Sequence, residues 1–253
     1  MNKKVLLVTG AGSGLGQLAA KRALADGWHV AALDVNTEGL AALGKRDELL
    51  CLTVDITDAA AVQAAVDQTV SVFGQIDRSV NAAAIMPLGL LNEQSGALCK
   101  KIMDINYGGL INIKEAVLPI MLAKGRGEFV SFASMAGHWP LIYMGAYAAS
   151  KHAVASYTEV LHHENKNSGV RIVCVCPPIV ATPLLKQAEN SVWPKLFDKF
   201  PPITPEVVLD KIETELKKDS LWVFPGPLTP WSWRLRRWMP KSLWRYVRSV
   251  EGF

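Results

Sequence analysis

The chain offers no candidate for a membrane span, a zinc site or a disulfide framework. No apolar run approaches the roughly 18 residues that a spanning helix needs. The opening Met-Asn-Lys-Lys leads into an apolar stretch too short for the core of a secretory signal, so a cytoplasmic location is the expectation. Cysteine is scarce: Cys51, Cys99, Cys174 and Cys176 are the four, without metal-ligand spacing. Cys174 and Cys176 stand two apart in an apolar run, which places both on one face of a strand, where packing is the natural use. A net positive charge is also missing from most of the chain. The net charge is +4, but six cations (Arg234, Arg236, Arg237, Lys241, Arg245, Arg248) against Glu251 crowd residues 231–253. The preceding 230 residues are close to neutral, which gives nucleic-acid binding little support. Linkers, internal repeats and low-complexity segments are lacking too.

What the chain does have is apolar bulk: 253 residues, 50% hydrophobic and 20% charged, enough for a sizeable core. Short apolar runs (5–8, 30–33, 49–54, 76–80, 129–132, 170–176 and 221–224) read as strands. Stretches of helical period (15–26, 37–44, 59–73, 98–122 and 146–165) alternate with them. This rhythm predicts an α/β fold, a doubly wound parallel sheet with helices on both faces. Its ligand crevice should lie at the carboxyl ends of the strands. The expected division is a catalytic domain over 1–230 and a basic, tryptophan-rich extension over 231–253.

The first strand runs into Thr9-Gly10-Ala11-Gly12-Ser13-Gly14-Leu15-Gly16, and a helical pattern follows at once. Glycines let the backbone turn tightly and approach a pyrophosphate, and the helix N-terminus supplies unpaired N–H groups. Gly10, Ser13, Gly14, Leu15 and Gly16 are therefore candidate cofactor contacts. Asp34 ends the second strand, where a carboxylate can accept from both adenosine ribose hydroxyls and repel a 2′-phosphate. No arginine stands beside it, since Val35, Asn36 and Thr37 follow. NAD is favoured over NADP, with capping of the next helix as the plainer role for Asp34. Asp55 and Ile56 end the third strand near the place of the adenine, and capping is again the plainer role for Asp55.

Tyr147 and Lys151 are four apart, on one face of a helix. A free phenol titrates near 10, and a nearby ammonium should lower that value, making Tyr147 a proton-transfer group. Lys151 could also hold the hydroxyls of the nicotinamide ribose. Ser134 closes an apolar strand in Phe132-Ala133-Ser134, and Asn106 sits inside a helical pattern it does little to favour.

The glycine motif, Asn106, Ser134 and the Tyr147–Lys151 pair, in that order and spacing, resemble the short-chain dehydrogenase/reductase family in its single-domain branch. The resemblance spans about residues 3–225 and implies a Rossmann-like three-layer sandwich that interconverts an alcohol and a carbonyl. It implies that Tyr147 gives or takes the proton at the substrate oxygen while Ser134 orients that oxygen. Asn106 would hold a water linking Lys151 to solvent. Asn81 after the fourth strand, and Pro177, Ile179 and Thr182 in the loop after the sixth, would meet the cofactor. Two departures stand out. The family's usual Asn-Asn-Ala-Gly is Asn81-Ala82-Ala83-Ala84 here, and Pro178 replaces a glycine.

By the same resemblance the substrate meets Met86, Ser134, Trp139, Leu141, Tyr147 and Leu184, with Ile85, His138, Tyr143 and Trp193 nearby. This wall suits a hydrophobic secondary alcohol, steroid-like, retinoid-like or otherwise lipophilic. A reductase of smaller ketones running on NADH and a catalytically silent nucleotide-binding regulator are the other readings. A lone His138 is more simply structural, and the family's habit implies a homo-oligomer. In the tail, Trp231, Leu235, Trp238 and Met239 share one helical face and Leu243, Trp244 and Val247 form a second stripe, while Trp233 fits neither. Peripheral membrane contact, a cover over the crevice and a subunit contact all stay open for it.

Overall fold

Val5–Thr9 (β1) is buried at all five positions, as a strand covered on both faces must be. The computed structural model describes residues 3–253. Around β1 stand His29–Asp34 (β2), Leu49–Thr53 (β3), Arg78–Asn81 (β4), Gly127–Phe132 (β5), Val170–Val175 (β6) and Trp222–Val223 (β7). They form one sheet in the order β3-β2-β1-β4-β5-β6-β7, with every pairing parallel. The strand order reverses between β1 and β4, and their carboxyl ends open the crevice that the alternating pattern predicts. The chain thus forms the doubly wound α/β sandwich expected from its sequence.

The strand period of two sorts the core into two layers. Leu7, Ala31, Leu33, Phe129, Ile172 and Cys174 face one side, against Ala59–Phe73 (α3), Gly109–Lys124 (α5) and Gly145–Glu164 (α6). Leu6, Val8, Val30, Ala32, Val130, Val173 and Val175 face the other, against Gly14–Ala25 (α1) and Pro205–Leu216 (α8). Each fully buried Val, Leu or Ile contributes about 1.5–3 kcal/mol relative to exposure. Together these two layers hold the strand ends in place. Cys174 and Cys176 are both fully buried, on one face as their spacing predicts.

Short helices complete the layers: Thr37–Ala41 (α2), Gly96–Met103 (α4), Pro183–Glu189 (α7), Thr229–Trp238 (α9) and Pro240–Glu251 (α10). The single helix expected over 98–122 is instead α4, a π turn over Asp104–Gly108, and α5. A π turn inserts one extra residue without disturbing the flanking apolar period, so the pattern alone does not show it. Helices α7 and α8 begin with Pro183 and Pro205 at the first helical position, a start signal that the strand-and-helix pattern passed over. No described helix is long and apolar enough to cross a membrane.

Candidate active site

The loop between β1 and α1 is shaped by contacts only glycine allows. Gly10 has φ +69°, and a β-carbon there would stand 2.8 Å from the Ala83 nitrogen in the loop after β4. A β-carbon on Gly16 would overlap the carbonyl oxygen of Gly10. Ser13 precedes α1 without a side-chain cap, so its hydroxyl does not take up the first helical N–H groups. A compact, amide-rich turn against a helix N-terminus suits a diphosphate.

Asp34 reaches back to this turn. Its Oδ2 accepts from the Gly12 N–H at 2.7 Å and its Oδ1 from the Asn36 N–H at 2.8 Å. The cap of α2 is Asn36, whose side chain accepts from the Gly39 N–H. Asp34 is therefore not the helix cap that its position also allowed. Asp55 accepts at Oδ1 from the N–H and hydroxyl of Thr57, and these bonds hold its carboxyl below the usual carboxylate range. It braces the turn after β3, while Asp58 caps α3. The Ile56 side chain is in the core beneath Gly109, so only its backbone can face a cofactor. Its carbonyl accepts from Asn112.

Asn81 also faces inward. Its amide donates to the Val130 carbonyl at 2.9 Å and accepts from the Ser79 hydroxyl, tying β4 to β5. Where the family's second asparagine is Ala82, the side chain of Asn81 ties these strands together and is spent on the sheet. Ala84 lines the cavity, and its φ is not positive. The methyl in place of the family's glycine is accommodated there without backbone strain.

At the carboxyl ends of β4 to β6 lies a cavity of about 240 Å³. Its wall brings together Leu15, Met86, Ser134, Trp139, Leu141, Tyr147, Lys151, Pro177, Ile179, Thr182 and Leu184, every one of them singled out in the sequence. Ser134 is fixed by a turn: its Oγ accepts from the Ala136 N–H at 3.1 Å. Tyr147 and Lys151 occupy the first two turns of α6, both buried. Lys151 Nζ donates to the Phe132 carbonyl at 2.8 Å and stands 5.8 Å from the centre of the Tyr147 ring.

Burial overrides the expected effect of the ammonium on the phenol. Tyr147 is pushed up to about 12 by desolvation, and the adjacent Ser134 hydroxyl only partly opposes this. Desolvation likewise brings Lys151 down to about 8, with the buried Cys174 and Cys176 sulfurs pulling the other way. Tyr147 is thus a neutral phenol at neutral pH, an acid ready to protonate a carbonyl oxygen. Asn106 is engaged by hydrogen bonds. Its Oδ1 accepts from the Ile85 N–H, and its Nδ2 donates to the Ile85 carbonyl and to the Ser150 hydroxyl. Ser150 in turn donates to the Tyr147 carbonyl at 2.8 Å. The Asn106 side chain therefore braces the β4 loop against α6.

Four residues expected near the substrate, Ile85, His138, Tyr143 and Trp193, do not line the cavity. His138 Nε2 is 3.4 Å from Cys176 Sγ and packs edge-on to Trp222 and Trp233, behind the cavity wall. Burial brings it down to about 4, so it is neutral and structural. Tyr143 packs against Phe253, and the Trp193 indole donates to Asp198. The sequence reading missed Leu196, Phe197 and Phe200, and the start of α9 (Leu228, Thr229 and Ser232), all on the cavity wall. It also missed Gln187 and Ser191, which accept from the Met86 and Leu88 N–H groups and pin the β4 loop to α7. The tail therefore covers the crevice with its first turn. Its second helix is anchored by buried Glu251, whose carboxylate accepts from the Lys195 and Leu196 N–H groups.

Comparison with known proteins agrees with this geometry. The family model for short chain dehydrogenases matches residues 4–193. D-threitol dehydrogenase of Mycolicibacterium smegmatis is 38% identical over 189 residues, 73% of each chain. Levodione reductase of Leifsonia aquatica is 34% identical over 200 residues, 76% of this chain and 75% of its own. A short chain dehydrogenase/reductase from Burkholderia phymatum, solved in complex with NAD, superposes with a TM-score of 0.85 at 26% identity. That match covers 96% of this chain and 95% of the other. A Ser134–Tyr147–Lys151 site on a doubly wound sheet, with a matching family model across three quarters of the sequence, makes this chain a member of the short-chain dehydrogenase family, an oxidoreductase of alcohols and ketones.

Proposed function

We propose that the chain is an NAD-dependent dehydrogenase of a bulky hydrophobic secondary alcohol, able to run in reverse as a ketone reductase. The observation that carries this reading is the wall around the reacting groups. Beyond Ser134, Tyr147 and Lys151, the cavity is surrounded by Met86, Trp139, Leu141, Leu184, Leu185, Leu196, Phe197 and Phe200. Thr182, Thr229 and Ser232 are the wall's other hydroxyls, so a polyol would find few partners there, whereas an apolar ring or chain replaces water at a gain. Two relatives, named as a D-threitol dehydrogenase and a levodione reductase, show how widely substrates vary on this fold.

The cofactor preference rests on Asp34. Held by Gly12 and Asn36, it presents a fixed negative charge at the end of β2, with no cation among Val35, Asn36 and Thr37. That charge opposes a 2′-phosphate and favours the free ribose hydroxyls of NAD. The glycine turn, Asp34, Lys151 and the Pro177–Thr182 loop are the residues that would hold the cofactor. When bound, it supplies or accepts the hydride.

The chain's own groups handle the proton. In reduction Tyr147 donates its phenolic hydrogen to the carbonyl oxygen, while Ser134 hydrogen-bonds that oxygen and stabilises the charge developing on it. In oxidation the phenolate removes the hydroxyl proton, and the Lys151 ammonium, anchored on the Phe132 carbonyl, stabilises that phenolate. Met86 and the apolar wall exclude water from the exchange.

The test follows absorbance of the reduced nicotinamide with NAD and with NADP across hydrophobic secondary alcohols and, separately, polyols. Turnover with NAD on the hydrophobic set, abolished in Tyr147→Phe with cofactor affinity retained, is the expected result. Preference for polyols would refute the substrate class, and preference for NADP would refute the role of Asp34.

A further inference from the structure

The tail has a second face, an exposed one that runs along α9. Trp231 is 69% exposed and Trp238 82% exposed, and Leu228, Leu235 and Met239 are exposed beside them. Spacings of three and four place these residues on one side of the helix. The residue that broke this pattern, Trp233, is the one turned inward, against Trp222, Phe224 and His138. An apolar row this large is uncommon on a soluble surface.

The tail's own exposed charges are of one sign. Arg234, Arg237, Lys241, Arg245 and Arg248 are exposed, and none of them is in an ion pair among the described residues. The tail's one acid, Glu251, is buried on the Lys195 and Leu196 amides and does not offset them. Two copies meeting face to face would bring these cations together. Tryptophan and leucine flanked by unpaired arginine and lysine complement an anionic bilayer surface, where indole rings settle at the headgroup level.

We propose that α9 docks the protein on an anionic lipid surface and that the cavity opens toward that surface. Leu228 links the two features, since it is 68% exposed and also lines the cavity. Phe200, likewise exposed, lines it as well. A lipophilic molecule dissolved in the bilayer would then enter past Leu228 and Phe200 without crossing water. Docking itself stands apart from the substrate assignment above; only the route of entry rests on it.

The experiment is co-sedimentation of the full chain with phosphatidylcholine vesicles, with and without phosphatidylglycerol, alongside Trp231→Ala/Trp238→Ala and Arg234→Glu/Arg237→Glu. Both pairs lie outside the cavity wall, so cofactor binding serves as the check on folding. Binding should require phosphatidylglycerol, weaken at high salt, and fall about tenfold or more in the tryptophan pair. Each arginine near the surface should account for roughly fivefold. Equally negligible sedimentation with both vesicle types would overturn the proposal. So would a dimer in light scattering that the tryptophan pair abolishes without any vesicle binding, which would assign the face to a second copy.

Discussion

His138 gives a stability test that uses no substrate. Its ring is held among Trp222, Phe224 and Trp233, with Nε2 on Cys176 Sγ, and burial brings it from 6.5 down to about 4. Between those two values the unfolded chain takes up a proton that the folded chain refuses. Stability contributed by the neutral ring is therefore present near pH 7 and is lost as pH falls from 6.5 toward 4. Each unit of that interval is worth about 1.4 kcal/mol, so at pH 5 the loss approaches about 2 kcal/mol. His138→Phe keeps an aromatic ring in the box and removes the titration. Urea unfolding of both proteins at pH 7 and pH 5 isolates this group, because the other titrating side chains cancel in the double difference. The wild type should lose about 2 kcal/mol more than the variant on acidification. Equal losses in the two proteins would mean that the imidazole is solvated and that the box does not exclude its charged form.

Gly16→Ala places a methyl on the Gly10 carbonyl, and calorimetry should show nucleotide affinity falling by tenfold or more while the sheet stays folded. Unchanged affinity would mean the turn yields. Asn106→Ala strands the Ile85 amide and carbonyl, a loss of about 3 kcal/mol in urea unfolding together with lower turnover. Glu251→Ala frees the Lys195 and Leu196 amides at a cost of about 1–3 kcal/mol, and loss of the α10 anchor should show as faster proteolysis after residue 230. Because Tyr147 is raised to about 12, kcat/KM for alcohol oxidation should climb with pH from 7 to 9, while ketone reduction does not. A flat oxidation profile would point to a different base.

The fold was legible because its strands are buried on both faces and read as apolar runs. The fourth strand is the instructive exception. Ile76 is fully buried, yet the strand begins at Arg78. An arginine is not an obvious strand residue until its partners Glu128 and Glu213 are known, and these lie far along the chain. The catalytic groups were legible for a different reason: each ends a strand or stands on one helix face, so local pattern fixes its position. What those groups touch was less accessible. Asn81 and Asn106 were placed correctly, but their amides bond to Val130 and Ile85, contacts that arise only when β4 lies beside β5 and the π turn aims Asn106 inward.

The cavity wall shows where local pattern stops being informative. Lys195–Lys199 form a single 3-10 turn with no period long enough to read, and Leu228, Thr229 and Ser232 reach the site from the turn after β7, where the Thr229 hydroxyl donates to the Pro225 carbonyl. Amphipathic spacing says that a helix has an apolar face and is silent about what covers it. In α10 the stripe is covered by the chain itself, with Val247 fully buried. In α9 the same kind of stripe stays exposed, and the irregular Trp233 is the residue that locks the helix down. A tryptophan out of phase in an amphipathic helix therefore carried more structural information than the regular ones, because it had to answer to a surface other than the one its neighbours face.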